Sequence, residues 1–112
     1  MTDCLFCKIV RGELPSTKVY EDDEILAFRD IHPAAPTHVL VVPKAHRDSL
    51  SACAGDDAPL LGRLLFAANR VAEGEGLEAF RLVVNNGSGA GQTVWHLHIH
   101  VLGGREMGAK LA

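Results

Sequence analysis

The stretch His96-Leu97-His98-Ile99-His100-Val101-Leu102 places an imidazole at every second position. Side chains of an extended strand alternate between its faces. His96, His98 and His100 therefore project to one side, about 7 Å from one to the next, and Leu97, Ile99 and Val101 to the other. An ordinary solvated face would carry Thr, Lys or Glu; three imidazoles offer proton and nucleophile chemistry near neutral pH. Two chemistries are open. His98 can act as nucleophile or base with its neighbours orienting it, or the His-x-His spacing can hold a catalytic metal. The segment just before the strand, Asn85 to Thr93, alternates Gly87, Gly89 and Gly91 with side-chain donors. Glycines let a backbone fold its N–H groups toward an anion. A strand follows this loop instead of a helix, so it is not a dinucleotide fingerprint. Phosphate held beside imidazole points to phosphoryl or nucleotidyl transfer through a histidine.

Cys4-x-x-Cys7 forms a second chemical group. It reads as half of a metal site, as a redox dithiol, or as two small buried residues. A redox pair normally opens the helix of a strand-helix-strand unit, and no strand precedes Cys4. Cys53 has no partner in the pattern and reads as a small apolar residue.

Elements must carry these groups. Leu5, Phe6, Ile9 and Val10 are spaced as on a short helix over Cys4 to Arg11, closed by Gly12. Val19–Glu21 and Ile25–Phe28 predict a hairpin across Asp22-Asp23-Glu24, and His38–Val42, between Pro36 and Pro43, a third strand. Asp57 predicts the N-cap of a helix with apolar residues from Leu61 to Ala72, ended by Gly74 or Gly76. Phe80–Val84 and Trp95–Leu102 complete five strands. Hairpins and short loops with inserted helices predict an α+β fold, a mostly antiparallel sheet with one long and one or two short helices. The 112 residues, 47% hydrophobic, fit one domain over 1–112. A net charge of −3 argues against nucleic-acid binding, though not against one phosphate. No apolar window reaches membrane-helix length, and the acidic start lacks a signal-peptide core, so a cytoplasmic protein without a membrane partner is expected.

The alternating His motif is the signature of the histidine triad (HIT) superfamily, and the resemblance covers the chain from about Cys4 to Arg105. Leu26–Ile31, Ala35–His46, Val83–Asn85, Gly91–Trp95 and Leu102–Arg105 resemble the Hint branch of nucleotide-binding proteins. The resemblance implies purine nucleoside phosphoramidate hydrolysis, with His98 attacking the α-phosphorus to give a nucleotidyl-histidine that water hydrolyses. It implies that His100 bonds the phosphate, that His38 orients the triad, and that Asn85, Gly91, Gln92 and Thr93 hold the α-phosphate and leaving group. Thr93 stands where Ser is common. Asp30 would pair with the ribose hydroxyls, and Phe6, Ile9, Phe28 and Ile31 match base-pocket positions; the residues alone favour plain core for those four, and the family match reverses that. His32 has no assigned role. By the same similarity Cys4, Cys7, His46 and His96 form a closed, structural zinc site. The family further implies a homodimer with a continuous ten-stranded sheet. Rival functions are dinucleoside polyphosphate hydrolysis and a nucleotide- or partner-binding module without turnover. The end, Met107 to Ala112, lacks the Trp-Pro-Pro common in that branch, which bears on substrate preference.

Overall fold

The computed structural model describes residues 4–111; Met1-Thr2-Asp3 and Ala112, the two ends of the expected domain, lie outside the described residues. Helix α1 spans Leu5–Val10, with Cys4 as its N-cap: the Cys4 sulfur accepts the Cys7 N–H at 3.4 Å. Strands β1 (Lys18–Glu21) and β2 (Ile25–Arg29) form the expected hairpin. Its turn is tied by Asp22, whose Oδ1 accepts the N–H groups of Glu24 (2.9 Å) and Ile25 (2.8 Å). Strand β3 runs from Thr37 to Pro43 and is buried from His38 onward. Helix α2 covers Ala58–Gly74, then β4 covers Phe80–Val83 and β5 Ile99–Gly103. The sheet order is β1-β2-β3-β5-β4, and each neighbouring pair is antiparallel.

The period of two divides the sheet into two covered faces. Ile25, Ala27, Val39, Val41, Ile99 and Val101 point to α2, where Leu64, Ala67, Ala68, Val71 and Ala72 bury the helix stripe. Leu26, Phe28, Leu40 and Val42 point the other way, onto Phe6 and Ile9 of α1. His38 and His100 belong to this second face, since His100 lies opposite Leu40 in the ladder. Asp57 is the α2 N-cap residue as expected, but its carboxylate turns back to accept the Ala54 N–H at 2.9 Å and to pair with Arg47. The helix stops through Gly76 (φ +73°), where the Leu77 N–H reaches the Ala72 carbonyl at 3.0 Å.

One expectation is corrected. The fifth strand begins at Ile99, not Trp95, and the segment from Val94 to His96 is a bend. The register that pairs Val41 with Ile99 would next place Leu97 opposite Pro43. Proline has no N–H to give the ladder. The Leu97 N–H bonds the Arg47 carbonyl instead, at 2.7 Å, and the histidine face leaves the sheet before His98.

Candidate active site

His98 and His100 straddle the start of β5, with ring centroids 4.9 Å apart. Each ring's partners assign its proton. A carbonyl can only accept, and His98 Nδ1 lies 2.7 Å from the His96 carbonyl, so Nδ1 carries the hydrogen and Nε2 keeps a bare lone pair. His38 Nδ1 accepts the Ala34 backbone N–H at 2.9 Å, which places the His38 proton on Nε2. That proton is donated to His100 Nδ1 at 2.9 Å, leaving the His100 proton on Nε2. The chain Ala34–His38–His100 thus ends in an N–H donor beside a His98 lone pair. Asp30 Oδ2 lies 3.4 Å from His38 Nε2, and Asp30 Oδ1 accepts the His32 N–H at 2.8 Å. Burial disfavours the charged form of both rings: it pulls the His98 pKa down from the ordinary value and that of His100 to about 4. Both imidazoles are neutral at pH 7. This pair can attack an electrophile from one ring and bond its oxygen from the other.

The bend sends His96 away from this pair. The fully buried His96 ring donates from Nε2 to the Pro43 carbonyl at 2.7 Å, so its bare Nδ1 faces Cys4 Sγ (3.3 Å) and Cys7 Sγ (3.5 Å). His46 donates from Nε2 to Asp48 Oδ1 at 2.6 Å, and its bare Nδ1 lies 3.3 Å from Cys7 Sγ and 3.2 Å from His96 Nδ1. Two imidazole lone pairs aimed at each other repel unless a cation sits between them. Four ligands at ordinary zinc–sulfur and zinc–nitrogen lengths form a tetrahedron with edges of about 3.3–3.8 Å. The observed separations of 3.2–3.5 Å match that donor set. The residues fit a closed metal site, and Asp48 and the Pro43 carbonyl orient its imidazoles from behind. A metal shared by His96, His98 and His100 does not fit, because His98 Nδ1 is spent on the His96 carbonyl and His96 Nδ1 on the cysteines. Phe6 stands between the centres, its ring 5.9 Å from that of His96 and 5.1 Å from that of His98.

A cleft of about 500 Å³ opens beside the triad, lined by Phe6, Ile9, Phe28, Asp30, Ile31, Leu40 and Thr93, among others. Phe6 and Phe28 meet edge to face at 5.3 Å, and both are buried core as well as cleft wall. Ile31 is 85% exposed at the rim and so is not a core residue. The glycine loop is tied in part by its own hydrogen bonds. The N–H groups of Ala90, Gly91 and Gln92 close the loop onto Ser88 and Gly87. Gln92 donates to the carbonyls of Asp48 (2.7 Å) and Val94 (3.1 Å) and accepts from Gly87 N–H (2.9 Å), so its amide knits the loop. Asn85 Nδ2 donates to the Ala90 carbonyl at 2.8 Å, close behind Gly91, whose φ of +91° requires glycine. Thr93 is the loop residue that reaches the cleft.

A HIT domain model matches residues 11–107, most of the chain and all three triad histidines. The chain belongs to the HIT domain family. It is 47% identical over 104 residues to protein HitA of Neisseria gonorrhoeae, covering 92% of this chain and 97% of that protein. It is 50% identical over 107 residues to the 14 kDa zinc-binding protein of Zea mays, covering 92% of this chain and 83% of the relative. Among solved structures, a HIT family hydrolase from Legionella pneumophila Philadelphia 1 superposes with a TM-score of 0.92 at 52% identity, over 95% of this chain and 96% of the other.

For a HIT chain the histidines are legible from the motif; the groups that hold them are not. Ala34 and Pro43 act through backbone atoms, which any residue type supplies, so no sequence signal marks them. Asp48 lies two residues beyond His46, and that short spacing could have marked it as a partner. His32, read as having no role, lines the cleft next to Ile31. Cys53, read as a bystander, is half-buried with its thiol 3.6 Å from the Ser49 carbonyl, apart from both centres.

Proposed function

We propose that this HIT protein is a hydrolase of nucleoside 5′-phosphoramidates that works through a nucleotidyl-His98 intermediate. The observation that carries the reading is the proton placement: a bare Nε2 on His98 next to an N–H donor on His100. His98 Nε2 forms a bond to the α-phosphorus as the phosphorus–nitrogen bond to the amine breaks. The amine leaves with a proton passed through the Thr93 hydroxyl. Water then attacks the same phosphorus, the bond to Nε2 breaks, and the proton water gives up replaces the one the amine took. Asp30, at the cleft edge, accepts from the ribose hydroxyls, and Phe6, Ile9, Phe28 and Ile31 sandwich the purine. Gln92 and Asn85 serve by shaping the loop that presents Thr93. The hydrolase relative from Legionella supports the reaction class.

The Cys4–Cys7–His46–His96 cluster belongs to the same reading as a structural zinc site, supported by its edge lengths and by the zinc-binding relative from maize. Cys4, Cys7, His46 and His96 would hold the ion, which would crosslink α1, the segment after β3 and the bend before β5. A cytoplasmic setting suits thiolate ligands, which stay reduced there. Pairing of two chains through the edge strand β4 completes the proposal: Leu65, Phe66 and Val84 are exposed apolar residues on α2 and just beyond β4.

The test is single-turnover incubation with an adenosine 5′-phosphoramidate followed by denaturing mass analysis. A protein adduct of one nucleotidyl group, absent in His98→Ala, is the expected result. Bound but intact substrate in wild type would leave only a binding module. Turnover of dinucleoside polyphosphates in preference to phosphoramidates would move the reading to that class.

A further inference from the structure

The peptide unit between His96 and Leu97 is held on both sides. Its carbonyl accepts the His98 Nδ1–H at 2.7 Å, and its N–H donates to the Arg47 carbonyl, also at 2.7 Å. A trans peptide is planar, so its N–H and C=O point in opposite directions from one rigid plate. Turning that plate would swing the oxygen that fixes the proton on His98 Nδ1. The plate therefore depends on the Arg47 carbonyl, which lies in a run of bends and turns between β3 and α2. The Arg47 side chain anchors this run. Its Nε and one terminal nitrogen donate to the two carboxylate oxygens of Asp57, at 3.2 and 3.0 Å, and its other terminal nitrogen reaches back to the His46 carbonyl at 2.9 Å. A planar guanidinium matched to both oxygens of a carboxylate fixes direction as well as distance. Asp57 is the N-cap residue of α2 and also accepts the Ala54 N–H at 2.9 Å, so the pair closes the neck of the loop 47–57 and ties it to the long helix. The two side chains are 34% and 14% exposed, which leaves the pair less screened than an ordinary surface pair.

Resting on the reading of His98 as the nucleophile, we propose that Arg47 is a positioning residue. Its ion pair with Asp57 holds the His96–Leu97 peptide so that the His98 proton stays on Nδ1 and the lone pair on Nε2. Without the pair the Arg47 carbonyl shifts, the peptide turns, and the proton divides between the two ring nitrogens. Only a ring with a bare Nε2 can form the bond to phosphorus. Arg47 is not part of the nucleoside cleft lining, so the loss falls on kcat and spares substrate binding.

The test is the nitrogen-15 spectrum of the His98 ring, recorded on the full chain with its zinc content measured, alongside kcat and KM for an adenosine 5′-phosphoramidate. The variants are Arg47→Ala, Arg47→Lys and Asp57→Asn. Asp57→Asn keeps an oxygen for the Ala54 N–H while removing the charge, and it carries the test if Arg47→Ala does not fold. Wild type should show a single tautomer protonated at Nδ1. Arg47→Ala and Asp57→Asn should show a mixture of tautomers, with kcat lower by about tenfold and KM within about twofold of wild type. Arg47→Lys, which keeps the charge without the fork, should fall between them and wild type. A His98 ring that keeps the wild-type tautomer in both Arg47→Ala and Asp57→Asn would overturn the proposal, as would an unchanged kcat. Zinc lost from both variants in step with the mixing would overturn it too, by routing the effect through His46. If wild type cleaves no phosphoramidate, the phosphoramidase reading falls, and the nitrogen spectra alone decide whether Arg47 holds His98.

Discussion

At the scale of single residues, the site is a set of proton placements made by neutral partners. His98 is committed at Nδ1 to a carbonyl, so the lone pair available for attack is on Nε2. His98→Ala removes that lone pair, and kcat/KM should fall by at least about a thousandfold, checked with an adenosine phosphoramidate. pH dependence follows from the depressed histidines. A lowered pKa means that the neutral, working form persists below the ordinary value of 6.5, and for His100 down to about 4. The acid limb of kcat/KM should therefore fall below 6.5; a limb at 6.5 or above would contradict the buried, neutral pair. Stability has the matching sign. The unfolded chain takes up protons as pH drops below 6.5 while buried His100 resists until about 4, so stability is full above 6.5 and declines between those values. Urea midpoints at pH 7.5 and 5 would show it.

Helix α1 is six residues long yet serves two centres. Cys4 and Cys7 face the cluster with His46 and His96, and Phe6 and Ile9 line the cleft, because neighbouring positions on a helix point about 100° apart. Such a short helix is marginal alone, so its position depends on what anchors it. Cys4→Ser should abolish stoichiometric zinc, measured by elemental analysis, and lower thermal stability. The triad is held by β3 and β5, so kcat of the folded fraction should stay within about threefold of wild type while KM rises. A Cys4→Ser protein with full stability and no zinc would refute the structural role. The same bend shows where strand periodicity misled. Alternation correctly sent Leu97, Ile99 and Val101 to the α2 side. It placed His96 with His98 and His100 only because nothing local reveals that Pro43, 53 positions away, ends the ladder. In the loop from Asn85 to Thr93 the N–H groups of Ala90, Gly91 and Gln92 close on the loop's own carbonyls, a competition that residue types do not record.

At the scale of the whole molecule, the sheet has α2 on one face and α1 with the cleft on the other, and β4 ends it. If two chains join along that edge, light scattering should give twice the chain mass, and Phe66→Asp should shift it toward the monomer; a monomeric wild type would refute the pairing. Five strands and one long helix are legible from apolar spacing, since a period of 2.0 or 3.6 is a local property written along the chain. So are the identities of the histidines and cysteines. Which nitrogen carries a proton, which sulfur meets which ring, and that Phe6 separates two centres are decided only when distant segments meet. A side chain's chemistry is set by its type, but its protonation and direction are set by the atoms opposite it. Here those atoms are the backbone N–H of Ala34 and the carbonyls of Pro43 and His96.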